Sequence, residues 1–201
     1  MTTTKIGGGL QPTRQIGGSP FSGATNKYRV INNYSGNLFR GDAVAYNVTT
    51  RTLTQVSGTG TAEPNFAKGV FIGAEWVDPT TRQPQFRSFL PAGTSSLTGT
   101  PQAYVADDGR TTFVIQADAT ISVGDIGLNF EVTLAQGNSF TQRSGFLLRA
   151  ASRTSGAALL RLNNLYDTPD NGFETGASGG DPFPFVEVQF LQTEDARTSA
   201  S

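Results

Sequence analysis

The stretch Gly69-Val70-Phe71-Ile72-Gly73-Ala74-Glu75-Trp76-Val77, followed by Asp78-Pro79-Thr80-Thr81 and Gln85-Phe86-Arg87-Ser88-Phe89-Leu90, decides the fold. The first segment is apolar and rich in β-branched and aromatic residues, the composition of a strand. Glycines inside a strand mark a bulge, a barrel corner or close backbone approach, so Gly69 and Gly73 point to strong curvature. Asp78-Pro79 supplies turn chemistry, because Asp accepts from backbone N–H groups ahead of it and Pro fixes φ. Phe86 to Leu90 then returns, and Pro91-Ala92-Gly93 stops it. The unit reads as a bent hairpin of a small barrel. Trp76 lies inside the apolar run and is expected in the core.

The same style extends in both directions. Upstream, Tyr28-Arg29-Val30-Ile31 is a short strand. Val44, Tyr46 and Val48 alternate at period two, and Thr52 to Val56 returns across Thr49-Thr50-Arg51 as a hairpin. Downstream, Ala103 to Ala106 is expected to pair with Thr112 to Gln116 across Asp107-Asp108-Gly109-Arg110, since Asp-Gly between β runs signals a hairpin. Further strands are expected at Ile126–Val132, Gly145–Leu148, Leu159–Tyr166 and Phe185–Leu191. No long segment has the 3.6-residue period of an amphipathic helix. The expected fold is all-β: short antiparallel strands forming a barrel- or sandwich-like core with an extended N-terminal arm. Residues 1–26 are read as the arm, 27–192 as a β-rich body with two lobes near 27–97 and 98–192, and 193–201 as a polar tail. Within the arm Ile6, Leu10, Arg14, Ile16 and Phe21 interrupt Gly-rich sequence, and they are the candidate partner-contact residues. The arm is expected to be ordered by a partner or by another copy of the chain.

Composition narrows the function. With 201 residues the chain can build a substantial core, and only 15% of them are charged. The formal net charge of −1 leaves no electrostatic footprint for nucleic acid or an anionic membrane. The absence of His and Cys removes imidazole- and thiol-based catalysis, disulfides, and metal sites built on those ligands. No apolar run suits a signal peptide or a membrane helix.

The remaining chemical candidates read as structural. Asp107 and Asp108 are adjacent, so on a strand they face opposite ways and in a turn both are solvated. Asp167, Asp170, Glu174 and Asp181 suggest a calcium loop, yet Pro169 breaks the spacing and Asx turns account for Asp170-Asn171-Gly172. Gly7-Gly8-Gly9 and Gly58-Thr59-Gly60 lack the phosphate-loop spacing and read as flexible loops. A Ser–Lys dyad would need Lys5, Lys27 or Lys68, none of which sits in a nucleophile turn. No catalytic residue, metal or cofactor is expected, and the chain is read as a non-enzyme.

Specific strings resemble a known group. They are Gly23-Ala24-Thr25-Asn26-Lys27-Tyr28-Arg29-Val30, the Gly69–Gly73 and Phe89–Gly93 segments, Phe113-Val114-Ile115-Gln116-Ala117-Asp118, Asp125-Ile126-Gly127-Leu128-Asn129 and Leu165-Tyr166-Asp167-Thr168-Pro169-Asp170-Asn171. In this order, over residues 7–192, they resemble small virion structural proteins of tailed bacteriophages, the capsid decoration or cement type. The resemblance implies a protein that stabilises a phage head by binding across subunits of the major capsid protein. It implies a place on the outer capsid surface, with the host cytoplasm as the site of assembly. The expected partners are the major capsid protein and further copies of the chain, a homotrimer first and a homodimer second. The competing reading is a host-facing carbohydrate-binding or fibre-type β module.

Overall fold

The computed structural model describes residues 4–47, 49–56, 67–166, 171 and 181–191. They form an all-β protein of packed antiparallel sheets, as the sequence pattern predicts. The strands are β1 (Gln11–Gln15), β2 (Asn26–Arg29), β3 (Leu38–Phe39), β4 (Ala43–Asn47), β5 (Thr52–Gln55), β6 (Gly69–Val77), β7 (Pro84–Arg87), β8 (Phe89–Leu90), β9 (Gln102–Ala106), β10 (Thr111–Gln116), β11 (Asn129–Thr133), β12 (Leu147–Thr154), β13 (Leu160–Leu165) and β14 (Phe185–Phe190).

One sheet runs β2-β9-β6-β4-β5, with β7 paired to the far half of β6. A bridge between Val30 and Leu53 joins its two ends, so the sheet closes into a small barrel. The barrel interior holds Val30, Val44, Leu53, Phe71, Trp76 and Val105. Leu38 and Leu90, from the two-stranded ribbon β3-β8, add to the same core. Gly69 permits the curvature, because a Cβ there would press into the Ala106 carbonyl oxygen of the neighbouring strand. Two of the three hairpins read from the sequence are present: Val44 to Asn47 pairs with Thr52 to Gln55, and Ala74 to Val77 pairs with Pro84 to Arg87. Asx turns hold their tips, where Asn47 Oδ1 accepts from Thr49 and Thr50 N–H and Asp78 Oδ1 accepts from Thr80 and Thr81 N–H.

The second sheet has the order β1-β10-β14-β13-β11-β12; a bridge between Ala117, just past β10, and Leu148 of β12 links its far strand back to β10, and we term it the open sheet for the edge that β1 leaves free. It packs on the outside of the barrel wall, and alternation along the barrel strands explains how. Val44, Phe71 and Val105 point inward, while their neighbours Ala43, Ala45, Val70 and Ala106 point at the open sheet. Three of those four are alanine. Small side chains on the barrel let the backbones approach and leave room for Phe113, Ile115, Phe130, Val132, Leu148, Leu162, Val186 and Val188 opposite.

Three expectations are corrected. Ala103–Ala106 and Thr112–Gln116 do not pair across residues 107–110; β9 joins the barrel and β10 the open sheet. The Asp-Gly turn is a crossover between sheets. Asp107 is drawn to the barrel by Asn26 and the Tyr28 hydroxyl, and Asp108 to the open sheet by Gln15 Nε2 at 2.8 Å. The lobes therefore divide at this turn, not near residue 97, and the open sheet recruits β1 from the N-terminal segment. The Gly7-Gly8-Gly9 segment is also no flexible loop. Gly8 N–H donates to Ser144 O at 2.9 Å, Gly9 N–H to Phe146 O at 3.3 Å, and Leu10 N–H to Gly41 O at 2.9 Å. Gly9 has φ +64° and no space for a Cβ against Gly41 and Ser144. The segment threads between the turn before β4 and the approach to β12 and clasps the two sheets together.

Candidate functional site

The arm residues singled out from the sequence part company. Leu10 is fully buried in the core between barrel and open sheet. Arg14, on β1, forms a fork with Glu187 on β14, Nε to Oε1 at 2.7 Å and Nη2 to Oε2 at 2.5 Å. Phe21 is half-buried against the same core. Ile6 and Ile16 remain 75% and 51% exposed. The expectation of an arm ordered only by a partner is corrected for residues 10–15, because β1 completes the chain's own sheet and pairs with β10. Gln116 anchors what precedes: its Oε1 accepts from Ile6 and Gly7 N–H at 2.8 and 3.0 Å, and its Nε2 donates to Thr4 O.

Beside β1 lies a cleft of about 410 Å³, lined by Arg14, Ile16, Thr112, Asn163, Glu187 and Gln189 among others. Its one buried acid is committed. The Arg14 guanidinium holds the Glu187 carboxyl below its ordinary value against the opposing effect of burial, and the Thr112 hydroxyl donates to Oε1 at 2.6 Å. A carboxylate so engaged is a poor proton acceptor for chemistry. The amide groups are less fully used. Asn163 Nδ2 donates to Gln189 Oε1 at 3.0 Å, which leaves further donors and acceptors facing the cleft.

The second notable acid is Asp42, fully buried where the barrel meets the N-terminal clasp. Burial pushes its carboxyl up, opposed by hydrogen bonds from Phe39 N–H, Ser144 and Gln55. Oδ2 receives Phe39 N–H and Gln55 Nε2, each at 2.8 Å. Asp42 therefore stitches the turn that feeds β4. On the barrel exterior Glu75 receives Lys27 Nζ at 2.7 Å and the Tyr104 hydroxyl at 2.5 Å. Those bonds lower its carboxyl and raise the Lys27 ammonium. Phe86 packs edge-on to Tyr104 with ring centroids 5.4 Å apart.

Asp107 and Asp108 are turn residues with structural partners, as described above. Among the described residues no group of three or more acidic side chains could hold a metal. Most of the Asp167–Asp181 loop lies outside the described residues. Trp76 is in the barrel core with Arg87 5.9 Å from its ring centroid. Among the described residues no helix is long and apolar enough to cross a membrane.

Sequence reasoning missed the turn at residues 138–143. There Phe140 is 94% exposed, and Arg143 and its bridge partner Arg40 are exposed beside it. The available signal was a lone Phe among Asn, Ser, Thr and Gln, where a solvated turn has no use for an aromatic ring.

No family model matches the chain, and no curated protein or solved structure is similar enough to it to count as a match.

Proposed function

We propose that the chain is a structural virion protein, a capsid decoration or cement protein that binds across subunits of a tailed-phage major capsid protein. The observation that carries the reading is the ordered set of strings over residues 7–192 that resembles such proteins. The physical character of the fold is compatible with it. A cement protein needs a firm, weakly charged β body, and here both chain directions are tied into one sheet, by β1 and by β14. Its buried acids, Asp42 and Glu187, serve as internal ties. Capsid lattices repeat one patch many times, so modest affinity per copy becomes firm attachment. A homotrimer at three-fold positions is the first choice of assembly and a homodimer the second.

The test is co-sedimentation of the purified chain with expanded heads that lack it, together with the heat and osmotic resistance of heads made without it. Binding, and heads that rupture sooner in its absence, are the expected results. Heads of undiminished strength that bind none of the chain would end this reading.

The amide-lined cleft beside Arg14 favours a second reading, a host-facing carbohydrate-binding module. Saturable binding of a neutral oligosaccharide, lost in Gln189→Ala and Asn163→Ala, would support it.

A further inference from the structure

The turn at residues 138–143 carries an inference about how this protein grips its partner. Phe140 is almost wholly exposed and forms no ring pair among the described residues. The turn that carries it is nonetheless built. Asn138 Oδ1 accepts from Phe140 N–H at 2.8 Å and from Thr141 N–H at 3.2 Å, and Asn138 N–H donates to Arg143 O at 2.9 Å. Gln142 takes a left-handed conformation, φ +57°, to close it. At the stem, a side chain on Gly137 would run into the Phe39 ring, and Ser144 N–H donates to Arg40 O at 2.9 Å. The backbone that carries the ring is fixed before binding, and preorganisation of that kind raises affinity.

Two arginines stand at its stem. Arg29, Arg51, Arg82, Arg110 and Arg161 are likewise exposed without an ion pair among the described residues, so what sets this pair apart is that its members adjoin each other at the foot of the turn. Arg40 and Arg143 sit side by side through a backbone bridge, both exposed and without an ion pair among the described residues. An exposed aromatic ring flanked by unpaired arginines has the composition of an interface centre. Two cations are too few for a nucleic-acid track on a chain of net charge −1.

We propose that Phe140, Arg40 and Arg143 form the anchor by which this chain holds an acidic protein surface. The Phe140 ring enters an apolar recess of the partner, and the two guanidinium groups pair with carboxylates around that recess. This rests on the capsid reading above, which makes the partner an outer face of the major capsid protein.

The experiment measures binding of the full chain to undecorated heads, as wild type, as Phe140→Ser, and as the double variant Arg40→Glu, Arg143→Glu. Phe140→Ser should weaken binding at least about thirtyfold, the effect of losing a central anchor. It should leave the melting midpoint unchanged, since the ring touches little of its own fold. The double variant should weaken binding and flatten its salt dependence. If the wild type binds heads and Phe140→Ser binds equally well, the anchor is wrong and the capsid reading stands. If the wild type does not bind heads, both fall. Sedimentation velocity without heads gives the remaining outcome. An oligomer of the wild type that Phe140→Ser dissolves would overturn the acidic partner. It would place the ring in the recess of about 360 Å³ at the foot of the same turn on a second copy, lined in part by Phe39, Leu134 and Phe146.

Discussion

The barrel and the open sheet meet the same problem, unpaired strand edges, and differ in that the open sheet carries the added strand β1 on its outside. The barrel removes its ends by closure through Val30 and Leu53, using chain from residues 26 to 106. The open sheet ties β12 back to the end of β10 through the bridge between Ala117 and Leu148, and it keeps an edge at β1, which it blunts. At β1 the chain turns back at once: Arg14 bridges Pro20, and Phe21 N–H donates to Thr13 O at 3.1 Å. At β12 the carboxylate of Asp118 does the work, accepting from Ala150 N–H at 2.8 Å and the Thr133 hydroxyl at 3.0 Å while its own N–H donates to Leu148 O. The barrel is thus a nearly local structure. The open sheet depends on segments more than 170 residues apart, as the Arg14–Glu187 pair spans them. Pairing between segments so far apart in sequence is slow to form, because loop closure must precede its reward.

The largest test of that contrast removes one ring from each core. Phe71→Ala empties the barrel, and Phe130→Ala empties the space between the sheets. Each should cost about 3–5 kcal/mol. The barrel wall serves both cores through alternating side chains, Val70 outward and Phe71 inward. Calorimetry of either variant should therefore give one transition at a lower midpoint. Two separate transitions would mean that barrel and open sheet are independent units.

Leu10→Ala asks whether the N-terminal segment belongs to the core. Its fully buried side chain should be worth about 2–4 kcal/mol by urea unfolding. A loss below about 0.5 kcal/mol would restore the picture of a free arm. Phe21→Ala, at a half-buried position, should cost less than Leu10→Ala.

Glu187 and Asp42 separate the two regions by pH. Arg14 holds the Glu187 carboxyl below its ordinary value of 4.5, so its stabilisation is complete above that pH and is lost as pH falls through the folded value. Burial holds the Asp42 carboxyl above 3.8, so the sign reverses: the folded state gains relative stability at low pH and loses it as pH rises through the raised value. Glu187→Gln should cost about 1–3 kcal/mol at neutral pH and flatten the acid limb of the stability curve. Asp42→Asn should flatten the opposing slope. Urea midpoints between pH 3 and 7 would check both, and equal slopes in all three proteins would contradict the assignment.

Local patterns were legible in the sequence because their physics is local. Asn47 and Asp78 mark their turns, and the run from Gly69 to Val77 is a strand in full. The bend before β8 hides a break at Ser88, where one expected strand becomes two. What escaped depends on contacts distant in sequence. Nothing in Gln11–Gln15 has strand alternation, and β1 exists because β10 offers an edge and Glu187 a partner for Arg14. The Asp-Gly turn at 107–110 carried a true turn signal, but its destination was set by Gln15 and Tyr28, far from it in the chain. The candidate contact residues suffered the same way. Apolar punctuation in a Gly-rich segment marked Leu10 and Phe21 as contacts for a partner, whereas they pack on the chain's own core, and the exposed Phe140 lay in a segment with no periodicity to read.

The smallest expected effect lies on the barrel exterior. Glu75 joins β6 to β2 and β9 through Lys27 and Tyr104, and the shifts at Glu75 and Lys27 are in the stabilising direction. Both partners of the ion pair are substantially exposed, so water screens it and holding two long side chains in place offsets much of the gain. The Arg14 fork differs in having its carboxylate buried. Glu75→Gln should therefore move the melting midpoint by no more than about 2 °C, less than Glu187→Gln does. Raising salt to about 1 M should erase most of that difference at Glu75 and spare more of it at Glu187. A larger loss at Glu75 than at Glu187 would show that the barrel exterior, and not the clasp between N-terminal strand and open sheet, carries the decisive ion pair.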